Sequence, residues 1–306
     1  METPAFLFPG IGVRLHGREH SFFIRYRDMM EPLIDASSEA AGVDLTRAFM
    51  DNDLEQCSPI CIEFFAYGFS YGCHRVFESK GYLPRYMAGH SMGIYAALAA
   101  SGAISFEDGL AICLKAHEIG ETLLAGRDDF GVGVVVGLDF EELNSLARQD
   151  GYHSVSLANY NNSSSTVWVG QRQEVSSFLE ESDKRGALKS MLLNIAIPFH
   201  STFFSRSALD EFRSCLEKME WHPPRCPLVS ALDHSLLDSV ESLRKMTVEN
   251  LTTPLHWPGV LQRLHELGVG MAMECGPGIS LTQHSRFVDG APKHLNMKNL
   301  RRRLDY

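Results

Sequence analysis

The sequence predicts an α/β protein in two parts: an α/β-hydrolase-like large domain and a small ferredoxin-like subdomain inserted into it. Three observations carry the prediction. A serine stands between glycines in GHSMG (89–93), with the apolar YMA before it and the small-residue run IYAALAA behind it. That is the pattern of a strand turning sharply into a helix. AFLF (5–8) runs into a glycine-rich turn, FPGIG (8–12), as a short buried strand does at its end. Between 128 and 196 the apolar pattern alternates in the order βαββαβ, that of a ferredoxin-like unit. The large domain is therefore expected over 1–127 and 197–306, and the subdomain over 128–196.

Each element follows from local pattern. ICIEFFAYGFSYGCHRVFESK (60–80) places apolar residues at helical spacing and is expected to pack beside the serine turn. Phe106 to Leu124, opening at FEDGL, reads as a second amphipathic helix. FGVGVVVGL (130–138) is a strand, and DFEELNSLARQDG (139–151) a helix with acidic residues in its first turn. SVSLANYNNSSSTVWVG (154–170) reads as two strands around a polar turn, QEVSSFLEESDKRG (173–186) as a helix and KSMLLNIAI (189–197) as a closing strand. The rest of the large domain carries PFHS, PLVSAL and MAMECGPG.

Bulk composition narrows the class. The chain has 306 residues, 44% hydrophobic and 22% charged, enough to build a core around an active site without disulfides. Seven cysteines are an odd number, and Cys57 and Cys61 have no second pair at zinc-ligand distance. They read as reduced thiols, and no metal is expected. METPAFLFPGIG lacks a basic start and a long apolar run, so no signal peptide, no membrane segment and a cytoplasmic location are expected. A net charge of −10 excludes a general nucleic-acid binder. The one basic cluster is Lys293, Lys298, Arg301, Arg302 and Arg303; it is either a solvated terminus or a docking patch for an acidic partner.

The chemistry centres on Ser91. A serine nucleophile must stand on a strained turn with Oγ exposed, and flanking glycines let neighbouring chain approach. The backbone N–H of Met92 then faces a developing oxyanion. On residues alone, an ordinary serine at a helix start remains the competing reading. A nucleophile needs a base, and of thirteen histidines His200 stands out, after a buried strand and Pro198. The FPGIG turn offers a second backbone donor at Ile11.

FPGIG, GHSMGIYAAL, ANYNNSSSTVWVG, IPFHS, PLHW and ECGPGISLT together resemble, in order and spacing, the malonyl-CoA:acyl carrier protein transacylase family. Its fold also supplies the acyltransferase domains of polyketide and fatty-acid synthases. The resemblance covers nearly the whole chain. It implies Ser91 as nucleophile, His200 as base and the backbone N–H groups of Ile11 and Met92 as oxyanion hole. It also implies that the backbone carbonyl of His256, where the family has Gln or Asn, orients the imidazole. The implied reaction is ping-pong: serine takes an acyl group from a thioester on CoA or carrier protein, and a carrier-protein phosphopantetheine thiol removes it. No bound cofactor is implied.

The departures concern the acyl group. Where the family has glutamine, glutamine and glutamate, this chain has Ile11, Ser58 and Ile94. Extender-unit transacylases carry an arginine twenty-five residues after the nucleophile, which pairs with the free carboxylate of malonyl. That count reaches Ala116, with Lys115 and His117 on other faces of the helix. A charge-assisted hydrogen bond is worth about 1.5–3 kcal/mol, so a non-carboxylated acyl group is expected, with alanine opening space for a longer one. Phe199, bulky and beside His200, pulls against a large group. The acyl pocket is thus expected to include Ala116, Phe199, Ile94, Ser58 and Asn161. Three other outcomes stay open: a hydrolase that clears carrier-bound acyl groups, an ordinary malonyl transacylase despite the missing arginine, and a non-catalytic docking protein.

Overall fold

The computed structural model describes residues 3–10, 15, 17–194 and 197–304, the side chains of 301–303 excepted. The first part of the chain runs β1 (Ala5–Phe8), α1 (Arg18–Arg25), α2 (Arg27–Ala41), α3 (Leu45–Met50), α4 (Pro59–Ser79), β2 (Tyr86–Gly89), α5 (Gly93–Ala100) and α6 (Phe106–Leu124). The middle part is β3 (Phe130–Val136), α7 (Phe140–Ala147), β4 (Ser156–Asn162), β5 (Ser165–Gln171), α8 (Arg172–Lys184) and β6 (Lys189–Leu192). The last comprises α9 (Arg206–Glu217), β7 (Leu228–Val229), β8 (Leu236–Leu237), α10 (Val240–Glu249), β9 (Leu255–His256) and α11 (Trp257–Glu266). It ends with β10 (Met271–Glu274), α12 (Ser280–Ser285), β11 (Lys293–Leu295) and α13 (Met297–Leu304). Among the described residues no helix is long and apolar enough to cross a membrane.

Six strands form the large sheet in the order β11-β10-β1-β2-β7-β8, with β1 parallel to both its neighbours. A parallel sheet is buried on both faces, and β1 shows how the sequence meets that demand. Phe6 and Phe8 point into one core with Phe22, Phe64, Phe69 and Phe77. Ala5 and Leu7 point the other way, into a second core with Trp257, Leu261 and Leu264. Strand alternation sets this division, and each fully buried large side chain contributes about 1.5–3 kcal/mol.

The middle part makes the predicted ferredoxin-like unit, with β3, β5 and β4 antiparallel and β6 on the far side of β3. Two details differ from expectation. The last strand is shorter than KSMLLNIAI, ending at Leu192, and residues 195 and 196 of that stretch lie outside the described residues. The sheet also takes a fifth strand from elsewhere: β9 lies parallel to β4, pairing Asn159 with Leu255 and Tyr160 with His256. Without it the outer edge of β4 would carry unpaired backbone groups.

The join between β1 and β2 depends on missing side chains. A Cβ on Gly93 would stand 2.1 Å from the Phe8 carbonyl oxygen, and one on Gly89 2.2 Å from the Ile94 backbone. Backbone cannot swing aside as a side-chain tip does. We therefore expect Gly93→Ala to destabilise the protein by about 3 kcal/mol or more. Chemical denaturation should read this as a lower midpoint at unchanged slope, and an unshifted midpoint would contradict the close approach.

Candidate active site

Strand β2 delivers His90 and Ser91 to the edge of the sheet, where the chain turns at once into α5. Ser91 has a φ of 54°, left-handed backbone that a residue with a Cβ rarely adopts. The turn is pinned on both sides. His90 N–H donates to the Phe8 carbonyl at 2.9 Å, and Gly93 N–H to the His90 carbonyl at 2.9 Å. Gly10 lies so near that a Cβ there would stand 2.8 Å from the His90 carbonyl and 3.1 Å from Ser91 Cβ. This geometry lifts Oγ off the sheet and leaves Met92 N–H at the start of α5. Among the described residues nothing accepts a hydrogen bond from that N–H. Ile11, the other expected oxyanion donor, lies outside the described residues.

Ser91 Oγ lies 2.8 Å from His200 Nε2, bringing together the two residues that the sequence singles out. His200 is itself left-handed, at φ 61°, and its N–H donates to the Leu251 carbonyl at 2.8 Å. Burial, then the neighbouring His90, lower its pKa to about 3, while the Asn250 and Thr253 backbone favours the charged ring. The imidazole is therefore neutral at pH 7 and able to accept the serine proton.

His256 does not have the place expected of it. Its carbonyl receives the His234 ring nitrogen Nε2 at 3.1 Å, and its own Nδ1 accepts from Gly259 N–H at 3.0 Å. Its position in β9 ties it to the sheet edge. The backbone facing His200 comes instead from the Asn250–Thr253 turn after α10. Asn250 also reaches the Ser91 carbonyl through Nδ2, at 3.4 Å. An uncharged amide just before a proline-containing turn was its one trace in the sequence.

The remaining motifs support this pair. His90 Nε2 lies 2.9 Å from Asn161 Oδ1, joining the Ser91 turn to ANYNN on β4. The His90 ring also stacks with His284, whose pKa burial lowers to about 3. ECGPG is structural. Cys275 N–H donates to the Leu7 carbonyl at 2.7 Å, and a Cβ on Gly276 would stand 2.3 Å from Pro9 Cγ. Glu274 accepts from Leu281 N–H at 2.9 Å and from Thr282 N–H at 3.0 Å, securing the first turn of α12.

Among the described residues, two cavities open on Ser91. The wider, about 290 Å³, runs between Ser91 and the small sheet, where Val132, Ala158, Asn161 and Val169 line it. The narrower, about 10 Å³, lies between α4, α5 and α6 and is bordered by Tyr95, Cys113, Ala116, Phe199, Asn250 and Glu63. That is room for about one water molecule. Ala116 thus sits in the wall, but Tyr95, Phe199 and Glu63 leave little of the space that alanine was expected to open. Asn161 and Phe199 also line the Ser91 cavities, whereas Ile94 and Ser58 line neither. Ile94 is buried in the main core. Ser58 is exposed at the start of α4, where its hydroxyl meets Cys61 Sγ at 3.2 Å. Lys115 points away, bonded to Glu118 and Glu211 at 2.8 and 2.9 Å. Glu63 and Tyr95 had drawn no attention in the sequence; an acidic residue inside the apolar ICIEFF is the signal that was there. A larger cavity, about 590 Å³ between α9 and α10, contains none of these residues.

A serine on a left-handed strand-to-helix turn, with a buried neutral imidazole against its hydroxyl, has the geometry that nucleophilic catalysis requires. Residues 19–299 match the acyl transferase domain family, and the chain belongs to it. It is similar to the polyketide biosynthesis protein ThaF of Burkholderia thailandensis, 29% identical over 288 residues. That match takes in 93% of this chain but 24% of ThaF, so the chain spans about a quarter of that relative's length. The malonyl CoA-acyl carrier protein transacylase of Bacillus subtilis (strain 168) is 26% identical, the match covering 91% of this chain and 88% of that one. Among solved structures, the malonyl-CoA:acyl carrier protein transacylase of Xanthomonas oryzae pv. oryzae superimposes with a TM-score of 0.85 at 26% identity, over 100% of this chain and 98% of the other.

The histidines set a pH dependence. His200, His284 and His294 have pKa values lowered by burial to about 3, 3 and 4, against about 6.5 in the unfolded chain. As pH falls below 6.5 the unfolded chain takes up these protons first, so stability present above that pH is lost towards pH 4. The His200 ring meanwhile stays neutral. Acylation of Ser91, followed by mass spectrometry, should show no inflection between pH 5 and 8 while the melting temperature falls over pH 6.5–4. A rate inflection near 6.5 would contradict the buried neutral ring.

Proposed function

We propose that this chain moves an acyl group from an acyl thioester, through an ester on Ser91, to the phosphopantetheine thiol of an acyl carrier protein in polyketide or fatty-acid synthesis. His200 Nε2 takes the Ser91 proton as Oγ attacks the thioester carbonyl, then gives it to the departing thiolate. The second half repeats these steps in reverse, with the carrier thiol as attacker. Met92 N–H, with Ile11 N–H as the resemblance implies, holds the oxyanion. The observation that carries the reading is the 2.8 Å contact between Ser91 Oγ and His200 Nε2 on the left-handed turn. The two transacylases named above act with acyl carrier protein, which makes it the acceptor proposed here; the setting is proposed to be cytoplasmic.

The acyl group is proposed to be short and to lack a free carboxylate. In support, the narrow cavity has Ala116 in its wall and neither arginine nor lysine among its described lining residues. A buried carboxylate with no cation beside it is strongly disfavoured. The small volume beside Ala116 favours an acetyl-sized group there. A division of the chain into 1–127 with 197–306 and an inserted 128–196 belongs to the same proposal.

One observation favours a second reading, hydrolysis of the acyl-enzyme: the narrow cavity has room for about one water beside Ser91 and His200. Intact-mass measurement decides between them. With acetyl-CoA the protein should gain one acetyl group on Ser91, at least about tenfold faster than malonyl from malonyl-CoA, and Ser91→Ala should abolish the gain. An acetyl-Ser91 that persists for hours without a thiol acceptor supports transfer; loss within seconds supports hydrolysis. Faster malonyl loading would overturn the proposed acyl preference.

A further inference from the structure

The narrow cavity beside Ser91 does more than lack a cation. Glu63, on α4, is an acidic residue of its wall, with a side chain only 6% exposed. The family resemblance assigns this residue no role. It does not cap a helix, as Glu274 does, nor meet lysine or arginine among the described ion pairs. Its partner is His117 on α6, whose Nδ1 lies 3.7 Å from Glu63 Oε1 and whose Nε2 lies 4.0 Å from Glu121. His117 stands next to Ala116, yet its ring is not among the groups that border the cavity.

The pair therefore has a direction. Its imidazole lies behind, towards Glu121, and Glu63 borders the space beside Ser91. The other polar side chains bordering that space are Ser91, Tyr95, Cys113, Asn250 and His200, all neutral as the site stands. Burial raises the Glu63 pKa, with His117 pulling against it, and Glu63, ahead of Glu121, favours the charged form of the His117 ring. Two carboxylates in one small, poorly hydrated site cannot both stay ionised without a large cost. Loss of a clamp would merely weaken binding of a carboxylated acyl group. A carboxylate opposite it repels that group, which is how specificity is gained against a competitor that is otherwise small enough to enter.

We propose that Glu63, positioned by His117, is the specificity-determining residue of the acyl cavity: its carboxylate rejects acyl groups that end in a free carboxylate and reserves Ser91 for short acyl groups without one. This rests on the reading that Ser91 carries the acyl group.

The test compares kcat/KM for Ser91 acylation by malonyl-CoA and by acetyl-CoA, measured as intact mass on the full chain. Glu63→Gln keeps size and hydrogen bonding but removes the charge. It should raise the malonyl-to-acetyl ratio on the order of a hundredfold, whereas Glu63→Asp, which keeps the charge, should leave the ratio near that of the wild type. His117→Gln removes the group that favours the ionised carboxylate of Glu63 and should raise the ratio as Glu63→Gln does, giving a second readout should Glu63→Gln not fold. A ratio unchanged in Glu63→Gln, or one that rises equally in Glu63→Asp, overturns the role of Glu63 while Ser91 still takes acetyl. A wild-type protein that takes no acyl group from either thioester overturns the acyl-enzyme reading as well.

Discussion

The left-handed backbone of Ser91 is the constraint on which the site depends. A residue with a Cβ holds that conformation only when its surroundings leave no alternative. Here β1 and the turn after it supply those surroundings, through the Phe8 carbonyl, Gly10 and Gly93. Sheet and site are therefore one object. The contact that registers β1 against β2 also aims Oγ at His200, and the apolar cores on both faces of β1 hold the register.

The second half of the site is held from the opposite side. His200, also left-handed, hangs from the Leu251 carbonyl. Asn250, one residue earlier, reaches back to the Ser91 carbonyl. The end of α10 thus touches both members of the pair. That explains how two residues more than a hundred positions apart meet at hydrogen-bond distance.

Much of this was legible in the sequence, because it depends on local pattern. GHSMG demanded a tight turn, AFLF a buried strand, and SVSLANYNNSSSTVWVG two strands around a polar turn; all three lie where the local pattern put them. What was not legible depends on tertiary placement. TPLHW was read as supplying the carbonyl behind the imidazole, but the pairing of β9 with β4 turns His256 towards His234. Ser58 and Ile94 were placed by linear correspondence, and helix geometry carried one to the surface and the other into the core. Glu63 went unnoticed because a single acid in an apolar helix has no spacing signature. Only the packing of α4 against α6 shows what it faces.

The two residues of β9 have a consequence for engineering. They leave the ferredoxin-like unit one strand short of its full width, with the missing strand encoded more than sixty positions downstream of Leu192. A chimera that exchanges this unit between relatives would carry over a raw β4 edge unless Leu255 and His256 were matched to it. Because β4 also carries Asn161, a mismatch there would be felt at His90, beside Ser91. The portable module is thus a discontinuous one, and its seam passes within a few residues of the Ser91 hydroxyl.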